Sequence, residues 1–420
     1  MDQQLNFWEF KSSRGNQDLE RLTGSDRLPH SFIVAAEYSL PSDRGLVRSV
    51  MPELDAIRGI AILLVVYYHG FSWSYGKWHF SRAGQVFVQL SSGGWLGVNL
   101  FFVLSGFLIT GILLDSKENA NYFGRFYLRR ALRILPIYYS LLLIQLILGW
   151  STRSYFLLNV VFLSNLTSIF GVVASYGPLW SLSVEEHYYS VWPLIVRRLS
   201  QRQLAALASG LCIAPPILRG IWFGLGHTSG GGLHFYTWFV IDNLAAGSVL
   251  AILVRSQSRT VACRICVGLL IVGVVMGAVG APYGIFRFGR IRSLVVAVFQ
   301  LTFAGIFFGG LLLLFLLIGT SGWSRLVQWS GLKFFGYISY GLYLFHITLF
   351  SIYDVLAKRF WPKLLPTEER FELVLLRFVL AGGLAVGVSF LSRRYFEEWF
   401  LNKKKPFEAK YLAAAASKSG

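Results

Sequence analysis

Two basic residues in the first long apolar stretch, Arg58 and His69, have types and a spacing that suit joint chemistry. They are eleven residues apart, close to three full helical turns, so on one helix they share a face about 16 Å apart along the axis. A neutral histidine is a suitable base for a hydroxyl group, and arginine is suited to holding anions. Taken singly, Arg58 could equally be an interfacial anchor and His69 a hydrogen-bonded core residue.

A second set of candidates combines paired arginines with adjacent acids further along the chain. Arg130 and Arg133 are three residues apart and can point together from one helical turn, where two guanidinium groups suit a phosphate. A membrane-boundary anchor would explain the same pair. Glu185 and Glu186 cannot share a helix face, so we expect one of them to cap a helix or face solvent. The other is then free to face a polar cavity.

Other polar and small residues in apolar segments have simpler explanations. His346 lies at a depth comparable to that of His69, and Asp242 is placed inside another apolar segment. Ser105 and Gly106 suit close helix packing. Cysteine spacing supplies one C-x-x-C pair with no second ligand pair, so we expect no metal site.

Composition identifies the elements that must position these residues. Of 420 residues, 55% are hydrophobic and only 14% are charged, whereas soluble domains carry about 25% charged residues. Apolar runs of membrane-spanning length recur along the chain, which predicts an all-α polytopic membrane protein. The formal net charge of +18 is explained by basic loops on the cytoplasmic face, so no nucleic-acid partner is expected. Each ionisable group within a span is a functional candidate, because inserting one costs roughly 2.5 to 3.5 kcal/mol.

We predict ten spans. The run 155–170 could be an eleventh span or a re-entrant piece, and the charge distribution favours a total of ten spans. The ten are 56–74, 94–114, 134–150, 183–197, 204–222, 237–254, 265–282, 294–318, 338–356 and 373–391. The excess of Lys and Arg on one side places both termini in the cytoplasm. The predicted organisation is a cytoplasmic segment 1–50, a transmembrane domain 51–396 and a basic cytoplasmic tail 397–420.

Five short motifs, in this order, resemble acyltransferase family 3, the bacterial membrane O-acyltransferases of polysaccharides and other sugars. They are Leu-Asp-x-x-Arg-Gly with Arg58-x10-His69, Phe-Phe-Val-Leu-Ser-Gly-Phe-Leu-Ile at 101–109, Arg130-x-x-Arg133, Trp-Ser-Leu-Ser-x-Glu at 180–185, and Ser-Tyr-Gly-Leu-Tyr-Leu-Phe-His at 339–346. The resemblance extends from about residue 54 to residue 395 and implies the stand-alone form, without an SGNH-type hydrolase domain.

The resemblance also implies roles for individual residues. His69 would be the catalytic histidine, Arg58 its partner and Glu185 the acid of the site, while Arg130 and Arg133 would hold an acyl-coenzyme A donor. Possible supporting residues are Asp55, Ser105, Trp180 and His346. The resemblance leaves the role of Asp242 open, because Val240 stands where many relatives have an arginine.

The function implied is transfer of an acyl group, most simply acetyl, from acyl-CoA to a hydroxyl of a carbohydrate or glycolipid acceptor, in the bilayer of the bacterial inner membrane. His69 would act as a general base or would carry the acyl group covalently, and Glu185 would hold the imidazole tautomer. The alternative is a transporter or flippase for a lipid-linked sugar. The acceptor, the acyl-chain length and the oligomeric state stay open.

Overall fold

The computed structural model describes residues 46–48, 50–228, 230–289 and 291–403. The predicted segment 1–50 and the basic tail 397–420 lie largely outside these residues. Within the described ranges the chain is helical, and its one β-type contact is an isolated bridge between Thr367 and Arg370. The predicted all-α class is therefore confirmed.

Sixteen α-helices and one π-helix form the described chain. The α-helices are α1 Pro52–Gly70, α2 Ser72–Tyr75, α3 Arg82–Ser91, α4 Gly97–Asp115, α5 Tyr122–Ile147, α6 Arg153–Val160, α7 Leu179–Arg198, α8 Gln201–Gly224, α9 Gly230–Phe235, α10 Thr237–Ser256, α11 Arg259–Gly280, α12 Leu294–Gly319, α13 Ser324–Val327, α14 Ser330–Phe360, α15 Phe371–Leu391 and α16 Glu398–Asn402. The π-helix is Ser392–Glu397, and short 3-10 turns cover Gly94–Leu96, Ser164–Leu166, Ala281–Tyr283 and Pro362–Leu364.

Each of the ten predicted spans coincides with a helix. In the described part of the chain, nine helical stretches are long and apolar enough to cross a membrane. The tenth, α7, has 20 residues, about 30 Å of helix, but it carries more polar groups. The run 155–170 is not a span, because it folds as the short helix α6 followed by irregular chain. Thr152 caps the start of α6 through its side chain.

Two helix pairs approach each other closely at glycines. A Cβ atom at Gly106 of α4 would lie 1.8 Å from the carbonyl oxygen of Leu244 on α10. One at Gly59 of α1 would lie 2.1 Å from the carbonyl oxygen of Leu332 on α14. Small residues at such crossings let helix backbones meet inside a membrane, so the packing interpretation of Gly106 is confirmed.

Helices α1 and α14 run parallel, and together they form the centre of the candidate site. Gly59 meets Leu332 near the start of both helices, and His69 meets His346 further along both. Helices α4, α5 and α7 lie beside this pair and complete the walls of a pocket.

A buried ion pair joins α8, α10 and α12 elsewhere in the bundle. The guanidinium of Arg219 donates to Asp242 Oδ2 over 2.9 Å and to Thr302 Oγ1 over 2.8 Å. It also donates to backbone carbonyls on α10 and α12. The side chains of Arg219 and Asp242 are only 1% and 5% exposed. The partner of Asp242 thus comes from a different helix, and not from position 240.

Candidate active site

A polar pocket lies among α1, α4, α5, α7 and α14, and we call it the arginine pocket. Its polar lining residues are Arg58, Ser105, Arg130, Arg133, Ser181, Glu185, Tyr189, Ser339, Tyr340 and Tyr343. Apolar side chains of α4 form most of the remaining wall. Five residues predicted from the sequence are therefore brought together from four helices.

The three arginines of the pocket are held by different neighbours. Arg58 forms an ion pair with Asp55, one helical turn earlier on α1. The guanidinium carbon of Arg130 lies 5.1 Å from the ring centroid of Tyr189, a cation–π contact. Arg133 follows Arg130 by one turn of α5 and lines the same pocket. The cluster offers several planar forks of donors to one anion.

Glu185 is the acid of this pocket. Its Oε1 accepts a hydrogen bond from Ser105 Oγ over 2.7 Å, which joins α7 to α4. Glu186 is not among the lining residues, and its Oε1 is buried without a hydrogen-bond partner in the described part of the chain. The geometry thus places Glu185, and not Glu186, against the cavity.

His69 lies outside the arginine pocket and pairs with His346. Its Nδ1 is 3.2 Å from Nε2 of His346, and the ring centroids are 4.9 Å apart. His346 is fully buried, whereas His69 is half-buried. The structure therefore places a second histidine, and not Glu185, at hydrogen-bond distance from His69.

The tautomers of this pair follow from its partners. Nδ1 of His346 is 2.9 Å from the carbonyl oxygen of Leu342, and a carbonyl only accepts, so this nitrogen carries the proton. Nε2 of His346 is then an acceptor for Nδ1–H of His69, which also lies 2.9 Å from the Val65 carbonyl oxygen. The Nε2 atom of His69 is left with its lone pair, ready to take a proton or attack a carbonyl.

Helix α14 connects the arginine pocket to the histidine pair. Ser339 and Tyr343 line the pocket, and His346 follows Tyr343 on the same helix face. The rings of Tyr343 and His346 have centroids 6.1 Å apart. The Tyr343 hydroxyl lies 2.6 Å from Ser181 Oγ and donates to the Pro178 carbonyl over 3.0 Å. One turn of α14 thus separates Tyr343, which lines the pocket, from His346, which contacts His69.

The remaining predicted residues flank these two sites. Asp55 pairs with Arg58, and Trp180 packs its ring between those of Phe102 and Phe235, with centroids 5.9 and 4.9 Å away.

Sequence reasoning missed three residues that helical spacing could have found. Ser181 and Tyr189 lie four residues before and after Glu185, so they share its face of α7. Tyr343 lies three residues before His346 and shares its face of α14. All three line the arginine pocket.

Comparison with known proteins agrees with these motifs. A family model described as an acyltransferase domain, that of acyltransferase family 3, matches residues 51–394. The peptidoglycan O-acetyltransferase OatA of Listeria monocytogenes is 25% identical over 79% of this chain and 55% of its own length. The protein YrhL of Bacillus subtilis is 31% identical over 41% of this chain and 28% of its own length. The O-acetyltransferase OatA of Staphylococcus aureus is 25% identical over 53% of this chain and 38% of its own length.

These alignments cover between about a quarter and just over half of the length of each relative. No solved structure matches the chain significantly. The match of the family model covers most of the sequence and includes every motif on which the resemblance rests. The chain belongs to acyltransferase family 3.

Proposed function

We propose that this protein is a membrane O-acetyltransferase that moves acetyl from acetyl-CoA to a hydroxyl of a sugar. The observation that carries this proposal is the continuity of the two sites along α14. Three arginines and Tyr343 line one pocket, and His346 follows Tyr343 by one helical turn. His346 pairs with His69, whose Nε2 has a lone pair available for reaction. The pocket thus offers an anion site beside a nucleophile or base.

The arginine pocket suits the donor. Coenzyme A carries a diphosphate and a ribose phosphate, and guanidinium groups bind phosphate oxygens through paired hydrogen bonds. Arg130 and Arg133 would hold these phosphates, while the thioester end would reach past Tyr343 toward His69. We further propose that the arginine pocket opens on the cytoplasmic side, that both termini lie on that side and that the chain resides in the bacterial inner membrane.

His69 would supply the reacting nitrogen in either of two ways. As a base, Nε2 takes the proton of the acceptor hydroxyl while the hydroxyl oxygen forms a bond to the acetyl carbon. The carbon–sulfur bond breaks, and the coenzyme thiolate takes that proton from the imidazolium. As a nucleophile, Nε2 first attacks the acetyl carbon and displaces the coenzyme thiolate, which leaves an acetylimidazolium ion because Nδ1 keeps its proton. The acceptor hydroxyl then attacks the acetyl carbon, the carbon–nitrogen bond breaks, and the hydroxyl proton passes to the thiolate, which regenerates neutral His69. His346 holds the required tautomer in both cases.

A sugar acceptor is supported by the three relatives, all of which are named as O-acetyltransferases, and two of these names specify peptidoglycan. We therefore propose a cell-surface glycan as the acceptor class, with peptidoglycan fragments as the first ones to test.

The test is acetyl release from radiolabelled acetyl-CoA by the protein in nanodiscs, with and without glycan fragments. We expect His69→Ala to abolish both release and transfer, because it removes the nitrogen that acts as base or nucleophile. His187→Ala is the matched control, since His187 is a half-buried histidine that hydrogen-bonds Thr237 outside the pocket. Label on the wild-type chain that hydroxylamine releases, and that is missing from His69→Ala, would identify the covalent route.

Wild-type protein that binds no acetyl-CoA in a folded preparation would overturn the donor assignment. Glycan-lipid movement lost in His69→Ala, without any acetyl transfer in the wild type, would favour the flippase alternative.

A further inference from the structure

Three aromatic rings gather beside His69, and we call them the aromatic shelf: Tyr68, Trp73 and Phe288. The centroids of Tyr68 and Trp73 lie 5.1 and 6.0 Å from that of His69. Phe288 lies 6.3 Å from both of these rings. Trp73 is 57% exposed although it touches three other rings. The three ring planes are tilted by 57 to 70° from one another, and Trp73 gives the shelf its exposed apolar surface next to the imidazole.

Phe288 reaches the shelf from a distant loop between α11 and α12. Buried polar side chains hold the backbone of that loop in place. Gln300 Nε2 donates to the carbonyls of Ile285 and Arg287, each over 2.8 Å. Trp95 Nε1 donates to the carbonyl of the residue between them, over 2.9 Å.

A second buried group orients Gln300. Nε2 of His234 lies 2.8 Å from Gln300 Oε1, and these two residues are 2% and 1% exposed. Burying polar groups is costly unless they are hydrogen-bonded. Here their hydrogen bonds fix the three loop residues directly before Phe288. These hydrogen bonds therefore fix the backbone that carries Phe288, and with it the position of Phe288 relative to His69.

We infer that the aromatic shelf is the acceptor subsite and that it binds a sugar ring by stacking. The C–H groups on one face of a pyranose carry slight positive charge, which suits the electron-rich face of an indole or phenyl ring. The rings of the shelf carry no formal charge, so they favour a neutral sugar over an anion. A ring stacked on Trp73 brings its hydroxyls beside His69. The inference rests on the proposed function, because it assigns the second substrate of that reaction.

The competing explanation is that Trp73 belongs to the aromatic belt at the membrane interface. Trp361 serves as a matched control for this explanation. It follows the end of α14, which runs parallel to α1, so it lies on the same side of the bundle. It is 61% exposed. The ring of Trp361 contacts that of Phe360, with centroids 5.8 Å apart, and Phe360 is not part of the shelf.

The test uses penta-N-acetylchitopentaose with the full-length protein in nanodiscs. For Trp73→Ala we expect the KM for the sugar to rise about tenfold, with kcat changed much less. Trp73→Phe should restore most of the affinity, and Trp361→Ala should behave like the wild type. Equal KM values for Trp73→Ala and the wild type would overturn the inference, as would an equal loss in Trp361→Ala.

Saturation-transfer NMR separates this inference from the proposed function. It measures contact between the sugar and the protein without any turnover. Transfer to the sugar that is lost in Trp73→Ala supports the shelf even where no acetyl-CoA is hydrolysed, in which case the proposed function fails alone. Transfer that is absent from the wild type, or equal in Trp73→Ala, overturns the shelf even where hydrolysis proceeds.

Discussion

Two kinds of arginine within the helical bundle differ in what surrounds them. The guanidinium of Arg219 donates hydrogen bonds to Asp242, Thr302 and backbone carbonyls, and its side chain is 1% exposed. Arg130 and Arg133 instead border an open pocket whose acid, Glu185, is hydrogen-bonded to a serine.

The difference teaches how to interpret a charge inside a membrane protein. Ionisable residues within spans are functional candidates as a class, because their insertion is costly. A buried charge that is hydrogen-bonded to side chains and carbonyls of neighbouring helices, as Arg219 is, fastens those helices together. A charge that lines a cavity can contact a ligand there. The presence of a cavity beside the charge distinguishes the two.

The largest expected effect is on stability at Arg219. Arg219→Ala leaves the Asp242 carboxylate buried without its partner, which typically costs about 3 to 5 kcal/mol. We expect a large loss of unfolding free energy, measured by denaturant titration in detergent, and restoration of much of it by Arg219→Met with Asp242→Leu. Arg198→Ala, at an exposed position on α7, is the control. Wild-type stability of Arg219→Ala would remove the structural half of the comparison.

An effect of similar size, on donor binding, is expected at the arginine pocket. Arg130→Ala with Arg133→Ala removes two charge-assisted contacts of about 1.5 to 3 kcal/mol each, so the KM for acetyl-CoA should rise by about 100-fold or more. The melting temperature should fall much less than in Arg219→Ala. Arg129→Ala is the control, since Arg129 is not among the lining residues. A double variant that melts early and binds the donor normally would contradict the assignment.

The smallest effect is expected at Ser105. Ser105→Ala deletes one hydrogen bond to Glu185, worth about 1 kcal/mol, so kcat/KM should fall about fivefold. Ser190→Ala on α7, which loses a bond to a backbone carbonyl only, should be neutral. A loss as large as that of the double arginine variant would mean that Ser105 itself contacts the substrate.

Sequence periodicity was sufficient for the helices and for faces within one helix. It predicted the ten spans and the shared direction of Arg130 and Arg133, because apolar run length and helical spacing are local properties. The choice of Glu185 over Glu186 came from the resemblance of residues 180–185 to a family motif, and not from periodicity.

Contacts between helices could not be derived in the same way. The meeting of His69 with His346 and of Arg219 with Asp242 depends on which helices pack together, and each pair comes from separate helices. Sequence reasoning therefore assigned Glu185 the place that His346 occupies. The loop that carries Phe288 was missed for the same reason, since its position depends on Gln300 from a neighbouring helix.

The tautomers of the histidine pair have an electrical consequence. With one proton on each ring, neither His69 nor His346 carries a formal charge. A transmembrane potential does work of about 2.3 kcal/mol on each elementary charge moved through 100 mV. The resting pair therefore gives the membrane potential no charge to act on, whereas His69 gains one positive charge when its Nε2 takes a proton or an acetyl group. A difference in acetylation rate between energised and de-energised membranes would therefore report the step that charges His69.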